Sequence, residues 1–465
     1  TLHDRYCHPC LDIILHLKGL YVKIGQVLSA RPDFVPRQYV QLFATVQDAI
    51  PQWPIEQVEE IVQRELETEY GLILDNVFES IEPIALGSAS IGQCHKAVLK
   101  EPWGIRGRRV VAIKVMHPGA QDRFRHDFQV FKWLCRVALP GWKPVLQELE
   151  RQVMTEFDYS NEASSLEQVR SNMAQTQYAN KISIPQPLLS LCSKHLLVME
   201  LLEGKKLSDA IEDRLTAALG GDRKLVHDFM RRKQEALMLE ADLQEPRSET
   251  VADLLESVVE AENRSSFSKL IRKTTLAIEL YSLYKKTRHY VDVLIDVHGH
   301  QIFLDGCFNG DPHPGNVLKL SNGKLGLIDY GQTRRLSTSD RLSFARIVSA
   351  LSKDPMNVTE VSEAMRACGF VTKRSRDHII AKYGALFFDN DSDSRRMGCA
   401  TPQIYLMKLG ALDPLVTVPD AAVFVARTSW MFRAMGSLLD EQIFTAKRWS
   451  AQAEEALRKA SAESS

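Results

Sequence analysis

A block of strand-like sequence interrupts a chain that is otherwise mostly helical in pattern. Residues 77–99 and 108–116 are rich in β-branched and apolar side chains, and Val110 to Ile113 is typical of a buried strand. A turn of Gly, Ser and Ala residues divides the first of these segments. Strand-like and helical sequence thus occur in the same chain.

Helical sequence flanks this block on both sides. Leu15 to Leu28 has apolar residues at helical spacing up to Pro32 and Pro36, and a second helical stretch covers residues 119–175. Strand-like sequence returns at 182–202. The remainder is expected to be helical apart from a hairpin near 302–330, and its charged segment 205–290 is interpreted as solvated helices.

Charge and hydropathy exclude two broad classes of protein. Lys and Arg number 58 and Asp and Glu 59, a formal net charge of −1, so no global basic field would hold a nucleic acid. The chain has no uninterrupted run of 18 apolar residues, which argues against a conventional membrane-spanning helix. Contact with a membrane surface stays open. Metal or redox chemistry at Cys7 and Cys10 also stays open, although the chain has no second Cys-x-x-Cys pair to complete a zinc site.

The most specific pattern is a polar loop followed by an aspartate at the end of an apolar run. The loop runs from Asn309 to Asn316, and Leu-Ile-Asp-Tyr-Gly follows with Asp329 at its centre. Asp311, Asn316 and Asp329 have the spacing of the catalytic aspartate and two metal ligands of protein kinases. The oxygens of Asn316 and Asp329 suit Mg²⁺ bound to nucleotide phosphates, and Asp311 can lie near the attacking hydroxyl or water.

Two upstream features complete a nucleotide site in the same order along the chain. Val111-Ala112-Ile113-Lys114 has the strand signature that carries a phosphate-contacting lysine, although a surface lysine after a strand would look the same. A loop of small residues occupies the place of a glycine-rich phosphate loop without the Gly-x-Gly-x-x-Gly spacing, and a tight hairpin turn would use the same residues. The loop residues predicted to contact the nucleotide are Gly87, Ser88, Ala89, Ser90, Gly92 and Gln93.

Taken together, these motifs resemble the UbiB family of atypical kinases, which is associated with coenzyme Q and prenyl-lipid metabolism. The resemblance covers residues 17–335. Its four signatures are Lys23-Ile24-Gly25-Gln26, the loop around Ala85 to Gln93, Glu156-Phe157-Asp158 leading to Glu162, and the Asp311 to Asn316 loop with Asp329. It implies an α+β, two-lobed protein-kinase-like fold with a helical N-terminal extension.

The resemblance also implies a division of the chain into four parts. These are a helical extension over residues 1–76, an N-lobe over 77–203, a mostly helical C-lobe over 204–445, and a C-terminal tail over 446–465 that is expected to be a frayed helix.

By resemblance, Lys114 contacts nucleotide phosphate and pairs with Glu162, whereas Lys23 lies over the site and pairs with Glu156. Gln26 and Asp158 belong to the same two regulatory motifs. From the residues alone, Lys23 and Gln26 would be the polar edge of a core helix and Glu156 a solvated helix-end carboxylate. In one continuous helix, positions 156 and 162 would lie about 120° apart, which favours separate partners, and Asp158 and Glu162 would share a face.

Three further features have two interpretations each. Met199 to Leu202 fits a hinge in which Glu200 and Leu202 present backbone to adenine, or is simply a buried strand. His313 is either a general base or a residue that organises the loop by hydrogen bonding. The amphipathic stretch from Val423 to Phe432 is either core or a surface helix that touches membrane or a lipid.

The predicted function is Mg-ATP binding with phosphotransfer or ATP hydrolysis. The resemblance implies a quinone-related or isoprenoid-lipid small molecule as partner, and a mitochondrion or plastid as compartment in eukaryotes. A non-catalytic nucleotide-sensing scaffold is the alternative, because the Lys23 helix covers the cleft. A true protein kinase is less favoured, because no Ala-Pro-Glu motif follows Asp329 and helical sequence resumes by about Asp340.

Overall fold

The structure is a computed structural model that places most of the chain. It describes residues 2–17, 19–29, 37–44, 52–138, 150–151, 153–224, 226–228, 266–390, 392, 402–439 and 441–463. The predicted stop of the first helix at Pro32 and Pro36, part of the helical prediction (139–149) and the centre of the charged segment (229–265) lie outside these ranges.

Helices and short strands make up the described residues. The helices are α1 (Leu2–Leu17), α2 (Gly19–Ser29), α3 (Arg37–Ala44), α4 (Ile55–Tyr70), α5 (Leu74–Val77), α6 (Ala120–Ala138), α7 (Tyr159–Ala174), α8 (Leu207–Ala218), α9 (Ser266–His300), α10 (Thr338–Ser352), α11 (Val358–Ala367), α12 (Asp377–Phe388), α13 (Pro402–Leu412), α14 (Asp420–Leu438) and α15 (Thr445–Glu463). The strands are β1 (Phe78–Ile81), β2 (Gly87–Ser88), β3 (Gly92–Leu99), β4 (Val110–Met116), β5 (Ile182–Ser183), β6 (Leu196–Glu200), β7 (Gly204–Lys206), β8 (Cys307–Asn309), β9 (Val317–Leu320), β10 (Leu325–Leu327), β11 (Thr333–Arg335), β12 (Val371–Thr372) and β13 (Leu415–Thr417).

The chain divides into two compact units. Unit 1 comprises Thr1–Ala174, Ile184–Glu203 and Asp329–Gln332, and unit 2 comprises Gln175–Ser183, Gly204–Ile328 and Thr333–Ser465. The expected mixture of a strand-rich segment with helices before and after it is confirmed, and the fold class is α+β.

Unit 1 is built on an antiparallel sheet in the order β1–β3–β4–β6, with β2 also paired to β3. Lys114 lies opposite Cys94 of β3 and opposite Leu197 of β6, which places it in a central strand. This pairing confirms the strands predicted over residues 77–116. Alternate residues of β3 and most residues of β4 are buried. This sheet is the rigid support from which Lys114 projects.

Helix α4 packs an apolar stripe against this unit. Val58, Ile61, Val62 and Leu66 recur at helical spacing, and all four are buried. The helix ends at Gly71, whose φ of 65° lets its N–H bond back to the carbonyl of Glu67.

The prediction of a continuous helix through residues 156–162 is wrong, because the chain turns there. The helical residues before Glu156 stop at Thr155, Glu156 lies in a turn, and α7 begins at Tyr159. Asp158 Oδ1 accepts hydrogen bonds from the backbone N–H groups of Ser160 and Asn161, which makes Asp158 the N-cap of α7. Asp158 and Glu162 therefore do not share a helix face; Asp158 instead fixes the start of the helix that carries Glu162.

This cap gives a first prediction. Replacing Asp158 by Ala is expected to lower the free energy of unfolding by about 1 kcal/mol, because two backbone donors lose their acceptor. Asp158→Ser should recover most of the loss, since a hydroxyl can accept the same bonds. Urea denaturation of the three proteins checks this, and equal midpoints for Asp158→Ala and the native chain would contradict the capping role.

In unit 2, α15 packs on α9 and α10. Trp449 is fully buried and donates its indole N–H to the carbonyl of Ile295 at 2.9 Å. Gly299 allows this approach, because a Cβ there would lie 2.6 Å from Trp449 Cδ1. The expectation that the chain frays from Ala446 is therefore wrong; Ala446 and Ala453 are as buried as Trp449.

The predicted hairpin near 302–330 is confirmed as β9–β10, which forms the centre of a sheet in the order β5–β10–β9–β7. Two further strand pairs, β8 with β11 and β12 with β13, were not expected. Strands of two or three residues are too short to produce a period of alternation in the sequence, which explains the omission.

Helix α14 contains the amphipathic stretch from Val423 to Phe432, which the sequence allowed to be either core or a surface helix. Phe424, Val425 and Phe432 are buried, whereas Val423 is 48% exposed. The stripe is therefore part of the core of unit 2. Within the described ranges, no helix has the length and apolar content needed to cross a membrane.

Candidate functional site

Unit 1 contains a buried ion pair between the central strand and α7. Lys114 Nζ lies 2.9 Å from both carboxylate oxygens of Glu162. The Glu162 side chain is only 3% exposed and that of Lys114 24%. Lys114 also lies over the ring of Tyr159, 5.0 Å from its centroid. The pairing implied for these two residues is what the structure shows, although their role in binding nucleotide stays a prediction.

Asp329 adds a second carboxylate to this cation. Burial by itself would lower the pKa of Lys114, but the charges of Asp329 and Glu162 outweigh it and hold that pKa well above its ordinary value. Burial would likewise raise the pKa of Asp329, but Lys114, the backbone N–H of Gly331 and Lys23 together lower it. Lys114 thus faces two carboxylates, and burial together with the charge of Asp329 raises the pKa of Glu162.

The turn after Asp329 is packed closely against Glu162. Gly331 donates its N–H to Asp329 Oδ1 at 2.9 Å. A Cβ at Gly331 would lie 3.3 Å from Asp329 Oδ1 and 3.4 Å from Glu162 Oε2, so the turn has little room for a side chain. Tyr330, which replaces the Phe of the kinase motif, is buried, and its backbone bonds to Glu162.

A second ion pair joins α2 to the turn before α7. Lys23 Nζ lies 2.9 Å from Glu156 Oε1 and 3.0 Å from Oε2, and Gln332 Nε2 donates to Glu156 Oε1 at 2.9 Å. Glu156 is therefore bound on two sides rather than solvated. Gln26 lies in α2, but its side chain falls outside the described residues. Gln332 is a member of this cluster that the sequence reasoning missed.

The loop of small residues is a tight hairpin turn between β2 and β3. Ala89 donates its N–H to the carbonyl of Gly92 at 2.8 Å. Gln93 is buried, and its carboxamide bonds to the backbone N–H and carbonyl of Trp53 and to the ring of His95. A nucleotide contact at Gln93 would have to displace one of these bonds. The other loop residues keep their predicted role.

Gly92 gives a second prediction. A Cβ at this position would overlap the hydroxyl of Tyr159 and the backbone carbonyl of Val115. Gly92→Ala is therefore expected to lower the free energy of unfolding by about 1–3 kcal/mol, because the backbone of β4 cannot move away freely. Gly87→Ala is the matched control, since nothing lies within 4 Å of a Cβ there. Equal thermal denaturation midpoints for the two variants would contradict the packing argument.

The residues of the predicted hinge, Met199 to Leu202, include the end of a strand. Glu200 ends β6 opposite Val111, and its N–H donates to the carbonyl of Gln186 at 2.8 Å. Leu202 follows outside any strand and is half-buried. The two interpretations are compatible, and a contact with adenine stays a prediction.

Unit 2 carries the polar loop, which is held by its own side chains. Asn309, which stands where a histidine is common, is buried and accepts the N–H of Asp311 at 2.8 Å. His313 Nδ1 accepts the N–H of Gly315 at 3.1 Å. This bond is the loop-organising contact that one of the two sequence interpretations predicts, and a role of His313 as general base stays a prediction.

Arg427 contacts the predicted catalytic aspartate. Its guanidinium lies 3.1 Å from Asp311 Oδ1, and it comes from α14, more than one hundred residues away in the sequence. The loop from 309 to 316 contains no Lys or Arg of its own. No motif signals this partner, so the sequence reasoning missed it.

The β9–β10 hairpin positions the predicted metal ligands. Asn316 directly precedes β9, and its carbonyl accepts the N–H of Ile328, which directly follows β10. Asp329 is the next residue along the chain. An amide and a carboxylate are hard oxygen donors, and Mg²⁺ usually takes one or two such protein ligands with substrate phosphates and waters. Each of the two donor types therefore suits Mg²⁺, and their shared role as ligands stays a prediction. Within the described ranges, no group of three or more His, Cys, Asp or Glu residues could hold another metal.

A lysine on a central strand paired to a helix glutamate, with an aspartate at the end of a hairpin, is the arrangement of a protein-kinase-like protein. Comparisons with known proteins agree. Residues 45–245 and 255–362 match the family described as "ABC1 atypical kinase-like domain". The chain belongs to this family, the UbiB/AarF group, as the motif resemblance predicts.

Individual relatives are distant. A Synechocystis protein named "Uncharacterized protein slr0889" is 26% identical over 73% of this chain and 68% of its own length. "AarF domain-containing protein kinase 1" of Xenopus laevis is 25% identical over 75% of this chain, which spans 54% of that relative. "Protein ACTIVITY OF BC1 COMPLEX KINASE 3, chloroplastic" of Arabidopsis thaliana is 25% identical over 74% of this chain and 38% of its own length. The chain thus spans about half, or less, of the last two.

Proposed function

We propose that the chain is an atypical kinase or ATPase that binds Mg-ATP. The observation that carries this proposal is the buried cluster of Lys114, Glu162 and Asp329 in unit 1. The charge of Asp329 disfavours a second negative charge on the buried Glu162, a repulsion that Mg²⁺ would offset, and Lys114 remains charged to meet phosphate.

Each proposed role follows from the chemistry of the side chain. Lys114 and the small-residue loop would hold the phosphates, and Asn316 and Asp329 would hold Mg²⁺. The metal would neutralise charge on the phosphates. Asp311 would accept a hydrogen bond from the attacking hydroxyl or water, as Arg427 fixes its carboxylate. Catalysis on this proposal is positioning and charge neutralisation.

The physiological setting is proposed from the family. A quinone-related or isoprenoid-lipid small molecule would be the partner, with peripheral membrane contact, and a mitochondrion or plastid the compartment. The support is the motif resemblance and the word "chloroplastic" in the names of Arabidopsis relatives. No basic field favours a nucleic acid.

A non-catalytic nucleotide-sensing scaffold is the second candidate. Two observations favour it: Asp311 is bound to Arg427, and Lys23 is bound to Glu156 rather than exposed. A scaffold would use nucleotide binding to regulate a lipid-biosynthetic complex and would not need Asp311 to act as a base.

Phosphate release from ATP separates these candidates. The full chain is assayed with Mg²⁺, with and without vesicles that contain an isoprenoid quinone, beside Asp329→Asn, Asp311→Asn and the control Asp354→Asn, an exposed carboxylate. The kinase or ATPase proposal predicts turnover in the native chain and the control and none in the other two. Absence of turnover, with nucleotide binding weakened by Asp329→Asn and spared by Asp311→Asn, would favour the scaffold.

A further inference from the structure

Unit 2 has an open basin whose walls are mainly basic. Its volume is about 470 Å³, within the range of small-molecule sites. Five basic residues from three elements line it: Arg214 of α8, Lys285, Lys286 and His289 of α9, and Lys319 of β9. Because the whole chain has a formal net charge of −1, this is a local concentration of positive charge rather than part of a general basic surface.

These cations lack carboxylate partners among the residues that the structure describes. The nearby acids of α8 are already engaged, since Asp213 pairs with Lys205 and Arg223, and Glu212 lies 3.0 Å from His227. Burial and the charges of Arg214 and Lys286 lower the pKa of Lys319. The basic side chains therefore repel one another, and an anion placed between them would relieve that repulsion.

The basin is separate from the predicted metal ligands. It is lined by Ser321 and Gly323, which form the turn of the β9–β10 hairpin. Asn316 stands at the opposite end of the same strand, and four residues of strand span about 13 Å. A ligand in the basin would therefore not occupy the position of the nucleotide's metal.

We propose that this basin binds a compact, multiply charged phosphate compound. Phosphate groups fit because Arg214, Lys285, Lys286 and Lys319, together with Ser321, line one opening. The adjoining apolar cleft, lined by Leu207, Ala210 and Leu283, has a volume of only about 10 Å³. It is too small for an acyl chain, which favours a free phosphate compound over a lipid whose tail enters the fold. This proposal does not rest on the kinase proposal.

The test is calorimetric titration of the full chain with inorganic tripolyphosphate in EDTA, which removes Mg²⁺. Lys286→Gln/Lys319→Gln is expected to weaken binding at least about tenfold, since two charge-assisted contacts are lost. Lys373→Gln/Arg458→Gln removes two exposed charges elsewhere in unit 2 and should bind like the native chain. A parallel titration with sulfate at the same ionic strength should show much weaker binding.

Flotation with phosphatidylglycerol vesicles, against phosphatidylcholine vesicles, identifies the source of the phosphate. Binding of tripolyphosphate but not of the vesicles supports a free compound. A second outcome is that the chain floats with phosphatidylglycerol vesicles. If Lys286→Gln/Lys319→Gln abolishes this binding and Lys373→Gln/Arg458→Gln does not, the same phosphate site is supported, with a lipid headgroup as the source of the phosphate. Equal affinities of the two double variants, equal binding of sulfate, or no binding of either probe would overturn the proposal.

Discussion

Replacing Lys114 by Met is expected to lower kcat/KM for ATP by about 10²–10⁴-fold. The substitution removes the one cation that Glu162 and Asp329 share, and a positioned charge of this kind typically contributes two to three orders of magnitude or more. It also leaves the buried carboxylate of Glu162 without its ion-pair partner, so the free energy of unfolding should fall by about 1–3 kcal/mol. Steady-state phosphate release and urea denaturation measure the two effects.

The control for Lys114→Met is a substitution of a lysine on the adjacent strand. Lys96 of β3 forms an exposed ion pair with Glu82, and Lys96→Met changes the same residue type at a solvated position. It should leave turnover unchanged and shift stability by less than about 1 kcal/mol. Glu162→Gln and the double variant Lys114→Met/Glu162→Gln complete a double-mutant cycle with Lys114→Met. We expect strongly non-additive losses in turnover, because Lys114 and Glu162 act as one unit. Additive losses, or full activity of Lys114→Met, would contradict the assignment.

Arg427→Gln is expected to lower kcat by about 10–100-fold with little change in KM for ATP. Arg427 holds the carboxylate of Asp311 through an ion pair, so its loss would leave the orientation of that carboxylate free to vary. Arg427→Lys should retain part of the rate, because it keeps the charge but not the planar guanidinium. Added guanidinium should partly restore Arg427→Gln, which a purely structural defect would not show.

Arg346→Gln serves as the control for Arg427, because Arg346 is an exposed arginine of α10 in the same unit. It should behave like the native chain in kcat and KM. A rise in KM without a fall in kcat for Arg427→Gln would assign Arg427 to nucleotide binding instead of to Asp311.

The sequence predicted the parts of the site that depend on local motifs. The strand that carries Lys114 and the hairpin between Asn316 and Asp329 follow from short local patterns. The pairing of Lys114 with Glu162 was implied by the family resemblance. Separate partners for Glu156 and Glu162 were also expected, but for the wrong reason. A side chain of Asp158 that caps α7 interrupts the helix, and no angle counted along one continuous helix applies.

What the sequence could not supply are contacts between distant segments. Gln332 bonds to Glu156, and Arg427 to Asp311, because the tertiary fold brings these segments together and not because of any spacing in the chain. The buried Trp449 is a similar case. Its helix looks polar and terminal by composition, and only the gap left by Gly299 on α9 creates the pocket that receives it.

The most direct test of the central claim is equilibrium binding of ATP to the full chain with and without Mg²⁺. We expect Mg²⁺ to strengthen binding to the native chain. Asp329→Asn should remove this dependence without unfolding the protein, as judged by an unchanged circular dichroism spectrum. Asp354→Asn should keep the full Mg²⁺ dependence. If Asp329→Asn binds Mg-ATP as tightly as the native chain does, the buried cluster around Lys114 is not a magnesium–nucleotide site.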